Sequence, residues 1–379
     1  MGVRKAVVLL LLSLSTCAFR AATPPTYTYT TIDYPEAFNT GVFGINKSGQ
    51  MSGTYFGNDG VAHAFTYTSG KFSSLDYPKA NRTFGFGINE AGSIVGYYID
   101  SNNVVHGFLH NADGFTALNY PDAKATRAYG INASGKIVGS FVDSDGVFHG
   151  FLHQDGKFKA LDFPKSTRTE AYGINDAGVI VGYYADAEAT NHGFTDKAGV
   201  LASFDFPGAQ STSVYGINQS GQMAGTFSDH NKNHGFMSDG NARLHYPGTH
   251  STFGFALNDG GEVVGQYVDE DSVDHGFVAV MGKEQAPQIS LRLDPDNITS
   301  GTGGFKLTVR GIGFVPGSVL RWNGSPRSTA FEDSSHIIAN IEAEDIAKPN
   351  VASLEVVNPG PNGATSNVVA FVVHTGPTP

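Results

Sequence analysis

The chain writes one short stretch over and over. "AYGINDAGVIVGYY" (Ala171–Tyr184) returns as "GFGINEAGSIVGYY", "AYGINASGKIVGSF" and "VYGINQSGQMAGTF". Its asparagines Asn46, Asn89, Asn132, Asn175 and Asn218 stand 43 residues apart, and Asn258 follows 40 later. Histidines of an HGF motif keep step at His63, His106, His149, His192, His234 and His275. So do prolines closing LDYP-like segments at Pro35, Pro78, Pro121, Pro164, Pro207 and Pro247. A repeat of this period builds one supersecondary unit that buries its apolar faces only against its neighbours.

One unit reads as four short strands, "YGIN", "IVGYYxD", "HGFLH" and "FxxLDYP". Each asparagine is followed three residues later by Gly49, Gly92, Gly135, Gly178, Gly221 or Gly261. Asn at the first corner can accept from the turn's own N–H groups, and Gly at the fourth tolerates positive φ. Four strands in about 40–45 residues is the size of a propeller blade. The phase of the repeat decides between a ring and an open solenoid. The repeat begins with a lone fourth strand, Tyr27 to Pro35, and the sixth unit ends at "HGFVAV" without one. A ring lets the first segment complete the last blade and removes an edge. The expected fold is all-β: a six-bladed β-propeller over residues 26–282, with the strand around Ile32 pairing beside Phe277.

Blades that pack face to face bury both sides of their strands, which accounts for apolar strands with small gaps. Gly53, Gly96, Gly139, Gly182, Gly225 and Gly265 mark close approaches, expected from a neighbouring blade's ring. The repeated Thr, His and Asp are the ingredients of nucleophilic catalysis. Six equivalent triads make no sense for an enzyme, and the first unit has Gly57 where the others have Asp. The six histidines are therefore expected to be buried and structural, bonded to a facing Asp and a nearby Thr. Cofactors and metals are not expected. "DSDG", with Asp143 and Asp145, and "DEDSVD", with Asp269 and Asp271, resemble fragments of calcium loops without the full ligand series.

Function is sought where the copies differ. The link between blades follows P-x-[AST]-x-x-T-x-x-[FY], and its free positions carry Arg82, Phe84, Arg127, Arg168, Glu170, His250 and Phe253. Gathered at one channel mouth, these would mix aromatic platforms with polar groups, as ligand sites do.

The N-terminus bears on compartment. Residues 1–21 combine a basic start, an apolar run too short to span a bilayer, and small residues: a secretory signal. The single cysteine, Cys17, lies at the end of the run; membrane attachment would follow only from its lipidation. Packing alone must hold the fold, since no disulfide is available. Only 16% of residues are charged and the formal net charge is −11, a surface that disfavours nucleic acid and anionic membranes.

After a polar linker at 283–287 a different all-β unit runs over 288–374, with 375–379 as a tail. Its "VRGIGFVPGSVLRWNG" and "LEVVNPGPNGATSNVVAFVV" resemble the IPT/TIG immunoglobulin-like family, with Trp322 as core anchor. The repeats over 27–280 resemble the bacterial extracellular HAF-repeat family, through "HAF" at His63–Phe65 and "HGF" in the other five copies. That resemblance implies secretion and a propeller, and no established activity. The expectation is a monomeric extracellular or cell-surface protein that binds a glycan or an extracellular protein without catalysis. The alternatives are a polysaccharide-acting enzyme, with Glu170 and loop carboxylates as candidate acids, and a structural scaffold.

Overall fold

A computed structural model describes residues 27–230, 232–281, 286–359 and 364–375. The signal segment, Cys17, most of the linker and most of the tail lie outside these residues. The chain divides into two compact units between Gly282 and Lys283. Both are all-β; among the described residues the only helical elements are two 3-10 turns, Asp239–Asn241 and Ala343–Ile346.

The first unit consists of six four-stranded antiparallel sheets, the second and third joined by a parallel bridge between Val105 and Ala125. The third sheet is representative, with strands Ala125–Ile131, Ile137–Val142, Phe148–Gln154 and Lys157–Leu161. Its first turn follows from its sequence. The Asn132 carbonyl accepts from Gly135, which sits at φ +78°, and the Asn132 Oδ1 accepts from the Lys136 N–H at 3.0 Å. The asparagine's remaining donor links the sheets. Its Nδ2 donates to the Asn175 carbonyl at 3.1 Å. The same bond runs from Asn46 to Asn89, Asn89 to Asn132, Asn175 to Asn218 and Asn218 to Asn258, and Asn258 donates back to Asn46 at 3.3 Å. These buried amides are thus satisfied in a cycle.

The N-terminal strand Tyr27–Thr31 pairs antiparallel with Asp274–Met281, placing Thr31 opposite Phe277. Ile32 extends the pairing by donating to the Gly276 carbonyl at 2.8 Å. The segment is therefore the outermost strand of the last sheet, beside strands from the far end of the repeat.

Every first strand carries a register shift beside its glycine, as between Ala128 and Gly130 in the third sheet. A bulge leaves one residue unpaired and re-aims its side chain. The residue is the Phe or Tyr of the repeat. The second-strand glycines have a different cause from the one expected. A Cβ on Gly139 would sit 2.0 Å from the Arg127 carbonyl oxygen and 2.7 Å from the Phe151 ring, both in its own sheet. The ring belongs to the HGF motif and the carbonyl to the bulged strand, so the crowding is within one sheet, not between sheets.

The histidine network also differs from expectation. The imidazoles are partly exposed, with 17–26% of their side-chain surface open, and they do not bond to the threonines. His149 Nε2 meets Asp143 at 3.2 Å, and its Nδ1 meets Asp162, just after the fourth strand, at 2.9 Å. The threonines instead accept from backbone N–H groups, Thr126 from Tyr120 and Thr169 from Phe163. Each turn after the fourth strand needs that acceptor, which explains a threonine five residues after every proline. A stack of rings fixes each histidine from one side: Tyr120 on Phe141 at 3.6 Å, and Phe141 on His149 at 5.0 Å.

The second unit packs a four-stranded sheet (Gln288–Asp294, Phe305–Ile312, His336–Ile341, Thr329–Asp333) and a five-stranded sheet containing Val319–Trp322, Asn350–Val357 and Val369–His374. They share one core that includes Leu307, Leu320, Leu354 and Phe371, with Trp322 only 1% exposed and 5.3 Å from the Phe371 ring.

Candidate functional site

The bulged aromatics of the six first strands meet on a common axis. Phe43, Phe86, Tyr129, Tyr172, Tyr215 and Phe255 line a cavity of about 240 Å³. Each ring lies 4.2–5.4 Å from the next, and Phe255 returns to Phe43 at 4.8 Å. A six-membered cycle with such sides has a radius of about 5 Å, and carbon contact distances of about 3.5–4 Å leave little open passage through it. The ring is therefore a floor. On the asparagine side of it lies a polar mouth with Lys47, Glu90, Asp176, Gln219 and Asp259. There the acidic and amide side chains already accept from neighbouring backbone N–H groups, as Asp176 does from Ala133 and Asp259 from Gln219, and Lys47 pairs with Asp259 at 3.0 Å.

A second cavity of about 210 Å³ shares Phe43 and Phe86 with the chamber and adds Phe56, Phe84, Tyr97, Gln266 and Asp274. Phe84 stacks on Tyr97 at 4.5 Å, and Gln266 donates to Asp274 at 3.2 Å. Burial raises the Asp274 pKa above the ordinary carboxylate value.

Beside these aromatics stands a polar cluster. Glu170 is 1% exposed and accepts from Ser140 Oγ at 3.0 Å, Tyr129 OH at 3.1 Å, Tyr183 OH at 2.5 Å and Arg168 Nε at 2.7 Å. A second Arg168 nitrogen also contacts this carboxylate. Burial, and then the Glu170 charge, push the Tyr129 and Tyr183 phenols far above their ordinary pKa, so both remain neutral donors. Arg168 lies over the Phe148 ring at 4.2 Å, and Arg127 approaches the same ring at 5.4 Å and Tyr97 at 5.7 Å. Nη1 of Arg127 is buried without a hydrogen-bond partner, as is the Thr226 hydroxyl.

The seven variable-position residues therefore separate. Arg127, Arg168, Glu170 and Phe84 come together around Tyr97, Phe148 and Tyr183. Phe253 stands apart from them in the sixth sheet, 6.3 Å from Phe255 of the ring. Arg82 and His250 are exposed and do not join the cluster. The bulged aromatics stand at the [FY] of the linking pattern, a fixed position, whereas function was sought only at the free positions. Also missed was the position before each stacked second-strand aromatic: Thr54, Tyr97, Ser140, Tyr183, Thr226 and Gln266. It varies while its neighbour stays aromatic, the same signal that marked Arg127 and Glu170 on the facing strand.

The acidic hairpin tips are occupied by their own turns. Asp143 Oδ1 accepts from Asp145 and Val147, and Asp269 Oδ1 from Asp271 and Val273, while each Oδ2 meets a histidine. Among the described residues no group of three or more His, Cys, Asp or Glu is placed to hold a metal ion.

No protein-family model and no curated protein matches this chain. Solved structures similar to it include a fungal lectin from Aleuria aurantia with a six-bladed β-propeller fold (10% identity, TM-score 0.43, 67% of this chain and 95% of that one). A fungal alcohol oxidase matches at 10% identity and TM-score 0.41, over 93% of this chain and all of that one. The β-propeller domain of a protease from Pyrococcus furiosus matches at 9% identity and TM-score 0.40, over 64% and 94% of the two chains. At such values no residue correspondence or activity is transferred from any of them.

Proposed function

We propose that this chain is a secreted or cell-surface protein whose closed six-bladed propeller binds a saccharide at one channel mouth and does not turn it over. In this reading residues 288–374 form an immunoglobulin-like IPT/TIG spacer. The observation that carries the proposal is the aromatic floor flanked on one side by Arg127, Arg168 and Glu170. Sugar rings present apolar C–H faces bordered by hydroxyls, and they suit a concave site of aromatic platforms with a few fixed polar groups. The two adjoining cavities, of about 240 and 210 Å³, are in the size range of one or two sugar rings.

Binding without turnover fits the way Glu170 is held. Glycoside hydrolysis needs two carboxyl groups about 5–10 Å apart with one of them free to exchange a proton. Glu170 is enclosed by tyrosine, serine and arginine donors, and every hydrogen-bond partner found for it is one of these.

A glycan array probed with the intact chain and with Tyr97→Ala tests the proposal. One group of related saccharides should bind the parent and lose signal with the variant, and incubation should release no new reducing ends. Silence across the array, or release of sugar, would overturn it.

A further inference from the structure

We infer that the ligand carries a carboxylate and that Arg127 is the residue that receives it. The inference rests on the saccharide reading and narrows it to acidic sugars of the uronic type. It begins from the charges at the mouth. Arg168 is matched by Glu170. The Arg127 side chain, one sheet away on the same Phe148 ring, forms no ion pair or hydrogen bond among the described residues. Its contacts with Tyr97 and Phe148 use the positive charge but none of its five N–H donors. Two of those donors, the pair on Nη1, are already out of reach of solvent. A buried donor of a charged group left without an acceptor is costly to a fold unless something else supplies the acceptor.

The chemistry of the side chain suits a carboxylate. A guanidinium is a planar fork that matches the two oxygens of a carboxylate, and aromatic walls strengthen such a pair by excluding water. The other charged groups near the mouth do not serve. Glu170 is consumed by its own four donor groups, and Asp274 is bonded to Gln266 on another part of the rim. The protein as a whole carries a formal net charge of −11, which discourages indiscriminate binding of polyanions. That field is screened beyond about 8 Å at physiological salt, so a local unmatched cation can still select an acidic residue seated against it.

The test is calorimetric titration of the intact protein with trisaccharides of galacturonate, glucuronate, mannuronate and guluronate, each beside its neutral methyl ester. The two forms share shape and differ in charge. At least one acid should bind about tenfold or more tightly than its ester, and Arg127→Gln should abolish that preference. Melting of Arg127→Gln should match the parent or exceed it, since the variant removes an unmatched donor. Equal binding of acid and ester, or a preference that survives Arg127→Gln, overturns the assignment while the saccharide reading stands. Failure of every acid and ester to bind overturns the assignment. If the neutral array is silent as well, the saccharide reading falls with it.

Discussion

Consider Ile32→Ala, and beside it removal of residues 27–33. Ile32 is 6% exposed and packs with Val42, Ile45, Phe65, Val264 and Val278, residues contributed by the first and last sheets alike. Truncating a buried isoleucine to alanine costs about 2–4 kcal/mol, more where the site cannot collapse. For a unit of this size each kcal/mol moves the melting temperature by about 2–4 °C. Ile32→Ala should therefore lower it by roughly 5–15 °C. The deletion should do more. It also removes the pairing of Thr31 with Phe277, the 2.7 Å contact of Asp33 with His275, the 2.9 Å bond from the His245 N–H to Tyr29, and the edge of Tyr29 against Phe277. It leaves Asp274–Met281 as a bare edge with unpaired N–H and C=O groups. Differential scanning calorimetry of the whole chain measures both variants, and the transition of the 288–374 unit should stay in place. A deletion that leaves both transitions where they were would show that the segment does not hold the sheets together.

Three further outcomes follow from the same geometry. Gly139→Ala places a methyl 2.0 Å from a carbonyl oxygen that belongs to its own sheet, and should cost more than about 3 kcal/mol in urea unfolding. Gly135→Ala has open space but φ +78°, and should cost only about 1–2 kcal/mol; equal penalties would refute the crowding account. Stability should also decline in alkali. Burial disfavours charge on His149, His192 and His275, yet their aspartate bonds outweigh it and raise each pKa above 6.5. That stabilisation is complete below pH 6.5 and fades as pH climbs through the raised values. Asp143, Asp186 and Asp269, held low first by backbone N–H groups, contribute above pH 3.8 and lose their effect in acid. The melting temperature should crest between these limits, and a steady rise from pH 6 to about 9 would contradict it. Finally, Glu170→Gln leaves Arg168 without its carboxylate and should destabilise by about 1–3 kcal/mol, less than a fully enclosed pair because Arg168 is partly exposed. Urea unfolding checks it, and an unchanged midpoint would mean that Glu170 and Arg168 are not coupled.

The repeat made the strand pattern legible because its period, its Asn-x-x-Gly turns and its missing last strand are all local or countable. The pairing of Thr31 with Phe277 needed only the observation that one end lacked what the other supplied. What escaped was set by side-chain direction. Thr126 and His149 are far enough apart in sequence that residue type alone suggested a bond, and only the backbone shows Thr126 turned to the Tyr120 N–H instead. The glycine at 139 was read correctly as a close approach but assigned to the wrong neighbour. Its cause is a bulge in the facing strand, and a bulge has no signature in composition.

The candidate site shows the same limit from the other side. A repeated residue was taken as architecture and a varying one as function, a division that separates Arg127 and Glu170 from their surroundings yet fails for the aromatic floor. Tyr129, Tyr172 and Tyr215 recur because each bulge must place a ring on the axis. Once six rings meet there, repetition itself builds a surface that no single copy possesses. Symmetry alone could not make such a surface discriminate. The selective groups must break the symmetry, and they do so in adjoining sheets: Arg127 in the third, Arg168 and Glu170 in the fourth, with both guanidinium groups approaching the Phe148 ring. A ligand held by this mouth would therefore lie off the axis, toward those two sheets. Substituting Arg127 should then alter recognition where substituting the exposed Arg82, at the corresponding rim of the second sheet, should not.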